Sequence, residues 1–468
     1  MAIRAEKILF NILVMVVMVF IMTVILNWSF HIHIFQLYRE RKRLVGSDFE
    51  FRHWNAFSKL THINITTLEE EQTFWNRSSF QNKVDPPSVF KDTITAAIFS
   101  CNPYWVTGRG HVFPQSFECP HTDKRITFTA SIVDESAIKD VDVVIFAAGV
   151  NNTVWEKAMA VRTPHQVWVY STEESAIHSP HVREIWKEGR SMGRLLGFNG
   201  YKFNMSFSYH SKSEVVAPFG EYIPFKEKPT TNMANRTAKR RAEKMVAWVS
   251  SHCYPAWNRT TFVHDLAKLI PVDTYGACGT NEHLPRNKNT ALFLRNYKFY
   301  IAFENSCCSD YITEKFWQAL AEFELVPIVV GASKEDYQRV APPNSFIYAD
   351  DFDSVRELAR YIRKVATNTT LYNQYHHWRQ MGKAVLYTNS RVYPFSSTEG
   401  ACALLNFLEE NAWKGNQPLR MRIDPFGPDW LGSCGLCGKH EWMTTYERNT
   451  VNQRNTVNLS TKVTKRTF

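Results

Sequence analysis

Tyr297-Lys-Phe-Tyr-Ile-Ala-Phe303-Glu-Asn-Ser-Cys-Cys-Ser-Asp310-Tyr-Ile-Thr-Glu-Lys315-Phe-Trp-Gln-Ala-Leu-Ala-Glu-Phe-Glu-Leu325-Val-Pro-Ile-Val-Val-Gly331 reads as strand, polar loop, helix and strand. Phe299 to Phe303 and Leu325 to Val330 are runs of strand formers. Between them Asp310 can cap a helix whose apolar residues Phe316, Trp317, Leu320 and Phe323 recur at helical spacing, so the stretch is expected to fold as a βαβ unit. Ligands of such units sit beyond the carboxyl ends of the strands. There the chain places Glu304, Asn305, Ser306, Asp310, Tyr311, Thr313, Glu314 and Lys315. A helix start carries partial positive charge, which suits Glu314 and leaves Lys315 misplaced unless an anion docks beside it. A lysine with free backbone N–H groups suits a phosphate, and a neighbouring carboxylate suits a ribose or sugar hydroxyl. The competing reading is a solvated helix start with a surface ion pair.

Outward from this unit the alternation of strands and helices continues, which indicates α/β architecture around mostly parallel sheets. Upstream, Ile94 to Phe99, Val141 to Phe146 and Gln166 to Tyr170 have strand character, with a helix expected over Asn152 to Val161. A second region begins near Ala242 with strands expected at Lys244 to Ser250 and Pro271 to Tyr275, and a helix at Arg259 to Leu269. After the opening stretch come a strand at Ser345 to Tyr348 and a helix at Ser354 to Val365. Two α/β regions joined near Lys226 to Arg241 imply a cleft between them.

The chain has 468 residues, 44% of them hydrophobic, enough for two large cores. A net charge of +10 admits nucleic acid, an anionic membrane or an acidic small molecule as partner. Basic residues cluster only at Arg39 to Arg43 and Lys239 to Lys244, without a nucleic-acid-binding signature, so no nucleic acid is expected.

Residues 8–26 carry only Asn11 and Thr23 as polar interruptions, a length that at about 1.5 Å per residue nearly spans a hydrocarbon core of about 30 Å. This is a transmembrane segment or a signal peptide, and the missing small-residue cleavage motif favours an uncleaved anchor. Flanking charge is ambiguous, since Arg4 and Lys7 precede the segment while Arg39, Arg41, Lys42 and Arg43 follow. Sequons suitable for glycosylation at Asn64, Asn76, Asn151, Asn204, Asn235, Asn258, Asn368 and Asn458 all lie downstream, which favours a lumenal body. Nine cysteines fit an oxidising compartment, although their pairing is not readable and the odd count leaves one over. The expected layout is a cytosolic tail (1–7), an anchor (8–26), a stem (27–93), a first α/β domain (94–240), a second (241–410) and a cysteine-containing segment with a disordered tail (411–468). In that tail Arg448 to Asn452 recurs as Arg454 to Asn458.

Metal ligands are not compelling. Asp140-Val-Asp142 leads into a strand and is expected to serve its entry turn. Cys434-x-x-Cys437-x-x-His440 offers three zinc ligands but has no second pair at finger spacing, so disulfides are expected there.

Across residues 94–410 the chain resembles the α1,3-fucosyltransferases. The resemblance is carried by Phe303-Glu-Asn-Ser306, Asp310-Tyr-x-Thr-Glu-Lys315, Val326-Pro327 and Gly331, then Tyr337, Pro342-Pro343, Phe346-Ile347 and Asp350-Asp-Phe352. Upstream it includes Ala247-Trp-Val-Ser250, Arg259 and Val272-Asp-Thr-Tyr-Gly-Ala-Cys-Gly279. It implies two facing Rossmann-like domains in the GT-B arrangement behind the membrane anchor, with GDP-fucose on the second domain and the acceptor glycan on the first. Carried over, Lys315 and Arg259 would contact the diphosphate, Glu314 the ribose, and Tyr311 and Asn305 the fucose or its neighbourhood. Transfer from the β-linked donor into an α1,3 linkage on GlcNAc inverts the anomeric centre and calls for one general base. The run Val167 to Ser175 resembles the family's strand ending in Glu-Ser, which makes Glu174 the base and leaves Glu173 pointing elsewhere.

No cofactor is then required beyond the donor, and a divalent ion (Mn or Mg) enters at most as a stimulant. A glycan on Asn258 would crowd Arg259, so that sequon is expected to be unmodified or to face away. The resemblance places the protein in the Golgi membrane as a single-pass type II enzyme. Two departures bear on the acceptor, which stays undetermined between core, antennal and N-acetyllactosamine GlcNAc. Tyr209 to Glu214 replaces an arginine-rich run of many relatives, and Ala147-Ala-Gly149 stands where Lewis-type relatives often carry histidines. The alternatives are a donor-binding but inactive lectin-like relative and a transferase for another nucleotide sugar.

Overall fold

Strand-forming runs separated by helix-length segments fold into two main sheets and two short two-stranded ones in the computed structural model. It describes residues 92–447, except for 101–111, 121, 133, 149–151, 180–200, 228–243, 281–283, 286–287, 388–393, 396 and 414–418. The expected cytosolic tail, anchor, nearly all of the stem and the terminal repeat lie outside the described residues, as do Asn64, Asn76, Asn151, Asn235 and Asn458. No helix among the described residues is long and apolar enough to cross a membrane.

The first sheet contains β1 (Thr93–Ser100), β2 (Gln115–Cys119), β3 (Lys124–Ile132), β4 (Val143–Ala148), β5 (Val167–Thr172), β6 (Met205–Ser208) and β7 (Val215–Val216). Its order is β2-β3-β1-β4-β5-β6-β7, parallel except for the β2–β3 hairpin. After β8 (Gly220–Pro224) the second sheet follows, with β9 (Lys244–Val249), β10 (Val272–Tyr275), β11 (Tyr297–Phe303), β13 (Val326–Val330) and β14 (Ile347–Tyr348). Its order is β10-β9-β11-β13-β14, all parallel. With the β2 edge and the two-residue β7 set aside, both sheets repeat the doubly wound order in which the first strand lies between the second and third. Such an order puts a ligand crevice at the carboxyl edge of each sheet.

Helices follow from the same patterning. The predicted helix is α1 (Asn152–Val161), and its Trp155 packs edge-on against Trp168 of β5 with ring centroids 5.1 Å apart. In the second half, α2 (Arg259–Ala267), α3 (Glu314–Ala321) and α4 (Val355–Thr367) flank the sheet. Phe262, Val263 and Leu266 of α2 and Leu358, Ile362 and Val365 of α4 bury against Phe299, Ile301, Val326 and Ile328. The helix α5 (Thr398–Phe407) lies inside the stretch read as the second domain, yet Ala401, Leu404 and Leu405 share a core with Ile98, Ile126 and Phe128 of the first sheet. Likewise β15 (Gly382–Leu386) pairs antiparallel with β8. The chain therefore crosses back after the second sheet, and all described residues belong to one compact unit, Thr73–Phe468.

Four disulfides close this arrangement. Cys119–Cys402 ties the first sheet's edge to α5, and Cys253–Cys278 joins the loops that follow β9 and β10. Cys307–Cys437 and Cys308–Cys434 fasten the C-terminal segment to the loop after β11, where β12 (Cys307–Cys308) pairs with β16 (Cys434–Gly435). Cys434 and Cys437 are thereby excluded as zinc ligands, and Cys101 lies outside the described residues. Asp142 serves the strand entry, its Oδ2 accepting from the backbone N–H and the hydroxyl of Thr95, each at 2.9 Å.

One expected glycosylation site is corrected. Asn204 is only 1% exposed, its Oδ1 accepting from Trp168 N–H at 2.8 Å and its Nδ2 donating to the Leu419 carbonyl at 2.9 Å. Both ends of the amide are used inside the fold, so the sequon Asn204-Met-Ser206 cannot carry a glycan in this state. Asn204→Ala is expected to leave the glycan mass unchanged by mass spectrometry while lowering stability by about 2 kcal/mol in denaturant unfolding, the scale of a lost buried hydrogen-bonding partner. Asn368 is exposed, and its Oδ1 caps a short helix by accepting from Leu371 N–H.

Candidate active site

The carboxyl edges of the two sheets meet through side chains placed just beyond β5 and β11. Glu174 lies two residues past β5, in a turn closed by its own N–H donating to Thr172 Oγ1 at 3.1 Å. Its Oε2 accepts from Asn305 Nδ2 and from the Tyr311 hydroxyl, both at 3.3 Å. Beside it Ser306 Oγ donates to Ser175 Oγ at 2.6 Å, both residues being fully buried. Two consecutive residues of the first sheet thus face two of the second, and three predicted site residues, Glu174, Asn305 and Tyr311, come together.

Burial and the neighbouring Glu173 charge raise the Glu174 carboxyl above its ordinary range, while Lys315, Asn305 and Tyr311 oppose the shift. Such a group is a stronger base than an ordinary carboxylate and is suited to accept a proton from a hydroxyl held against it.

The second cluster lies at the start of α3. Thr313, not Asp310, occupies the N-cap, because Asp310 adopts a left-handed backbone (φ 61°) outside the helix. Glu304, fully buried at the end of β11, accepts from Thr313 N–H and Oγ1, each at 2.8 Å. Lys315 Nζ sits 2.9 Å from Glu314 Oε1, 3.3 Å from Glu304 Oε2 and 2.9 Å from Thr313 Oγ1. Sequence reasoning thus missed why a lysine is tolerated at a helix start: two carboxylates hold it. The misplaced charge was itself the signal, since it demands an anion and Glu304 stood eleven residues upstream at a strand end. Desolvation works against the Lys315 ammonium, but Glu304 and Glu314 outweigh it and raise its pKa. The β13 end is shaped to the same group, for a Cβ on Gly331 would lie 2.7 Å from Glu304 Cγ.

Arg259 stands apart from these contacts. It is 3% exposed, with Nη1 donating to the Phe303 carbonyl at 2.9 Å and Nη2 to Ser250 Oγ at 3.0 Å and the His252 carbonyl at 2.9 Å. Its guanidinium braces the ends of β9 and β11 from behind, with Nε buried and unpartnered. Asn258, half-buried at the start of α2, donates its backbone N–H to the Tyr446 carbonyl.

A cavity of about 770 Å³ is lined among others by Val249, Leu292, Tyr300, Gln318 and Glu322, with none of Glu304, Glu314, Lys315 and Arg259 in its wall. Gln318 and Ala321 lie on the helical face that begins at Glu314. Among the described residues no group of three or more His, Cys, Asp or Glu is placed to hold a metal ion.

Two doubly wound sheets whose carboxyl edges share one polar site suit a ligand held between them, and the class of protein is given by family models. The glycosyltransferase family 10 (fucosyltransferase) C-terminal model matches residues 239–419, and the fucosyltransferase N-terminal model matches residues 98–220. The chain belongs to glycosyltransferase family 10. It is 36% identical over 220 residues to human 4-galactosyl-N-acetylglucosaminide 3-alpha-L-fucosyltransferase FUT5, a match covering 47% of this chain and 53% of that protein. To human FUT6, which carries the same activity name, it is 36% identical over 234 residues, covering 48% of this chain and 63% of that one. The matched stretch thus spans between about half and two thirds of these relatives. A crystal structure of an α1,3-fucosyltransferase with GDP-fucose matches at a TM-score of 0.43 and 18% identity, covering 72% of this chain and all of that one.

Proposed function

We propose that the protein is an inverting α1,3-fucosyltransferase that moves L-fucose from GDP-β-L-fucose to the 3-hydroxyl of a GlcNAc in a glycoprotein glycan. The observation that carries the reading is Glu174, a desolvated carboxylate of the first sheet, held against Asn305 and Tyr311 of the second. In this scheme Glu174 accepts the proton of the acceptor hydroxyl as its oxygen forms a bond to the fucose anomeric carbon. The bond from that carbon to the β-phosphate oxygen breaks on the opposite face, and the electron pair leaves with GDP. Lys315, preformed and anchored, faces the charge that develops on the leaving diphosphate. Glu314 takes the ribose, and the cavity along its helical face has the volume for a nucleoside.

Arg259 acts on the diphosphate as a fixed charge behind the strand ends, since its Nη donors are committed to Phe303, Ser250 and His252. The relatives' names specify galactosyl-N-acetylglucosaminides, which makes N-acetyllactosamine the first acceptor to try. Four disulfides suit an oxidising compartment, in keeping with a Golgi membrane enzyme anchored through residues 8–26. The full chain, purified in detergent and offered a panel of labelled nucleotide sugars with GlcNAc-bearing acceptors, is expected to transfer fucose from GDP-fucose alone. Binding of GDP without transfer would identify an inactive lectin-like relative, and transfer from another nucleotide sugar would replace the donor assignment.

A further inference from the structure

The residue before Tyr311 makes a contact that the reaction scheme leaves unused. Asp310 is 10% exposed at its side chain and is held in the left-handed backbone region, φ 61°, which aspartate tolerates better than most residues. Its Oδ2 accepts from Ser211 N–H at 2.9 Å and from Ser211 Oγ at 2.6 Å, while its Oδ1 pairs with Arg339. Asp336 completes the support by accepting from Asp310 N–H at 3.2 Å and from Arg339 at 2.7 Å.

Ser211 belongs to the other sheet, at the tip of the loop between β6 and β7. That loop is internally hydrogen-bonded. Ser208 and Ser213 hydroxyls lie 2.7 Å apart, Ser213 N–H donates to the His210 carbonyl, and Lys212 N–H donates to His210 Nδ1. Its Tyr209 ring rests against Tyr311 with centroids 5.1 Å apart, and Lys212 makes a second tie to Asp429. One dipeptide, Asp310-Tyr311, therefore touches both the first sheet's loop and Glu174.

We infer that Asp310 is a positioning residue that pins the loop Tyr209–Lys212 of the first sheet at the mouth of the site and so sets how the acceptor sugar meets Glu174. The inference rests on the proposed function for the role of the loop. It does not rest on it for the tether itself. The left-handed backbone turns the Asp310 carboxylate toward Ser211 while the next residue turns its hydroxyl toward Glu174, so a shift of the loop and a shift of the base are coupled through one backbone unit.

Two substitutions made in the full chain, one on each partner, test it. Ser211→Ala removes only an exposed hydroxyl, and Asp310→Asn keeps the side-chain size and the tolerance for positive φ. Each is expected to raise the acceptor KM, by about tenfold for Asp310→Asn, the scale of one charge-assisted hydrogen bond. kcat should stay within about twofold and GDP affinity by calorimetry should stay unchanged. The double variant should lie close to Asp310→Asn alone, because the Ser211 hydroxyl acts through the Asp310 carboxylate. A merely structural role would instead lower kcat, GDP affinity and the unfolding temperature together and leave the acceptor KM in place, and that result overturns the inference. If the wild-type chain transfers no fucose, the proposed function falls, and the tether is read from hydrogen exchange over residues 209–212. Faster exchange in both variants keeps it; unchanged exchange overturns it.

Discussion

Glu174→Gln is expected to lower fucosyl transfer by about 10²- to 10⁴-fold, the usual worth of a positioned general base, while GDP affinity stays near wild type. The geometry separates the two readouts, because Glu174 comes from the first sheet whereas Lys315 and Glu314 come from the second. The pH profile carries the sign. Burial holds the Glu174 carboxyl above the ordinary value of about 4.3, so the base becomes active only above that range and the acid limb of kcat/KM should lie there. Tyr311→Phe removes a hydrogen bond that favours the carboxylate, and should move the limb to higher pH. Glu173→Gln removes a neighbouring negative charge that disfavours it, and should move the limb to lower pH with transfer retained. A profile indifferent to all three substitutions would remove Glu174 from the role of base.

Lys315→Met should damage both stability and donor binding, for separable reasons. The ammonium is the nearest counter-charge of Glu304, which is fully buried and accepts hydrogen bonds from the Thr313 N–H and hydroxyl. Removing one partner of a buried pair strands the other, a loss of about 3 kcal/mol. The same charge faces the diphosphate in the proposed scheme, so GDP should bind about 10²-fold more weakly, the upper range of a charge-assisted contact. Pairing Lys315→Met with Glu304→Gln removes the stranded charge. The double variant should recover most of the unfolding temperature and none of the GDP affinity, measured by thermal unfolding and calorimetry. Recovery of both would mean that Lys315 serves the fold alone.

How far the residues themselves foretold this site depends on how local each signal is. The βαβ reading of Tyr297 to Gly331 and the helix Asn152–Val161 rest on near-neighbour periodicity, which side-chain burial enforces directly, and both match the structure. Asp310 misled because a polar residue near a helix start looks like a cap, while its positive φ and its partner Ser211, 99 positions away, leave no mark in local spacing. Asn204 misled for a related reason: a sequon says nothing of burial, and its amide is spent on Trp168 and Leu419. The return of α5 and β15 to the first half of the molecule was equally hidden, since each lies where sequence order assigns it to the second sheet. Lys315 was the informative case: its unfavourable position pointed to an anion docking at the helix start, read as a phosphate, and the structure shows Glu304 and Glu314 already against it.

A base on one sheet acts on a donor held by the other, and the linkage of the product reads that junction most directly. The full chain, incubated with GDP-β-L-fucose and an N-acetyllactosamine acceptor, should give a product whose NMR spectrum shows fucose in α linkage at O3 of GlcNAc, with one GDP released per fucose. A β-linked fucose, or fucose on another hydroxyl, would contradict single-step inversion at Glu174 or the α1,3 assignment.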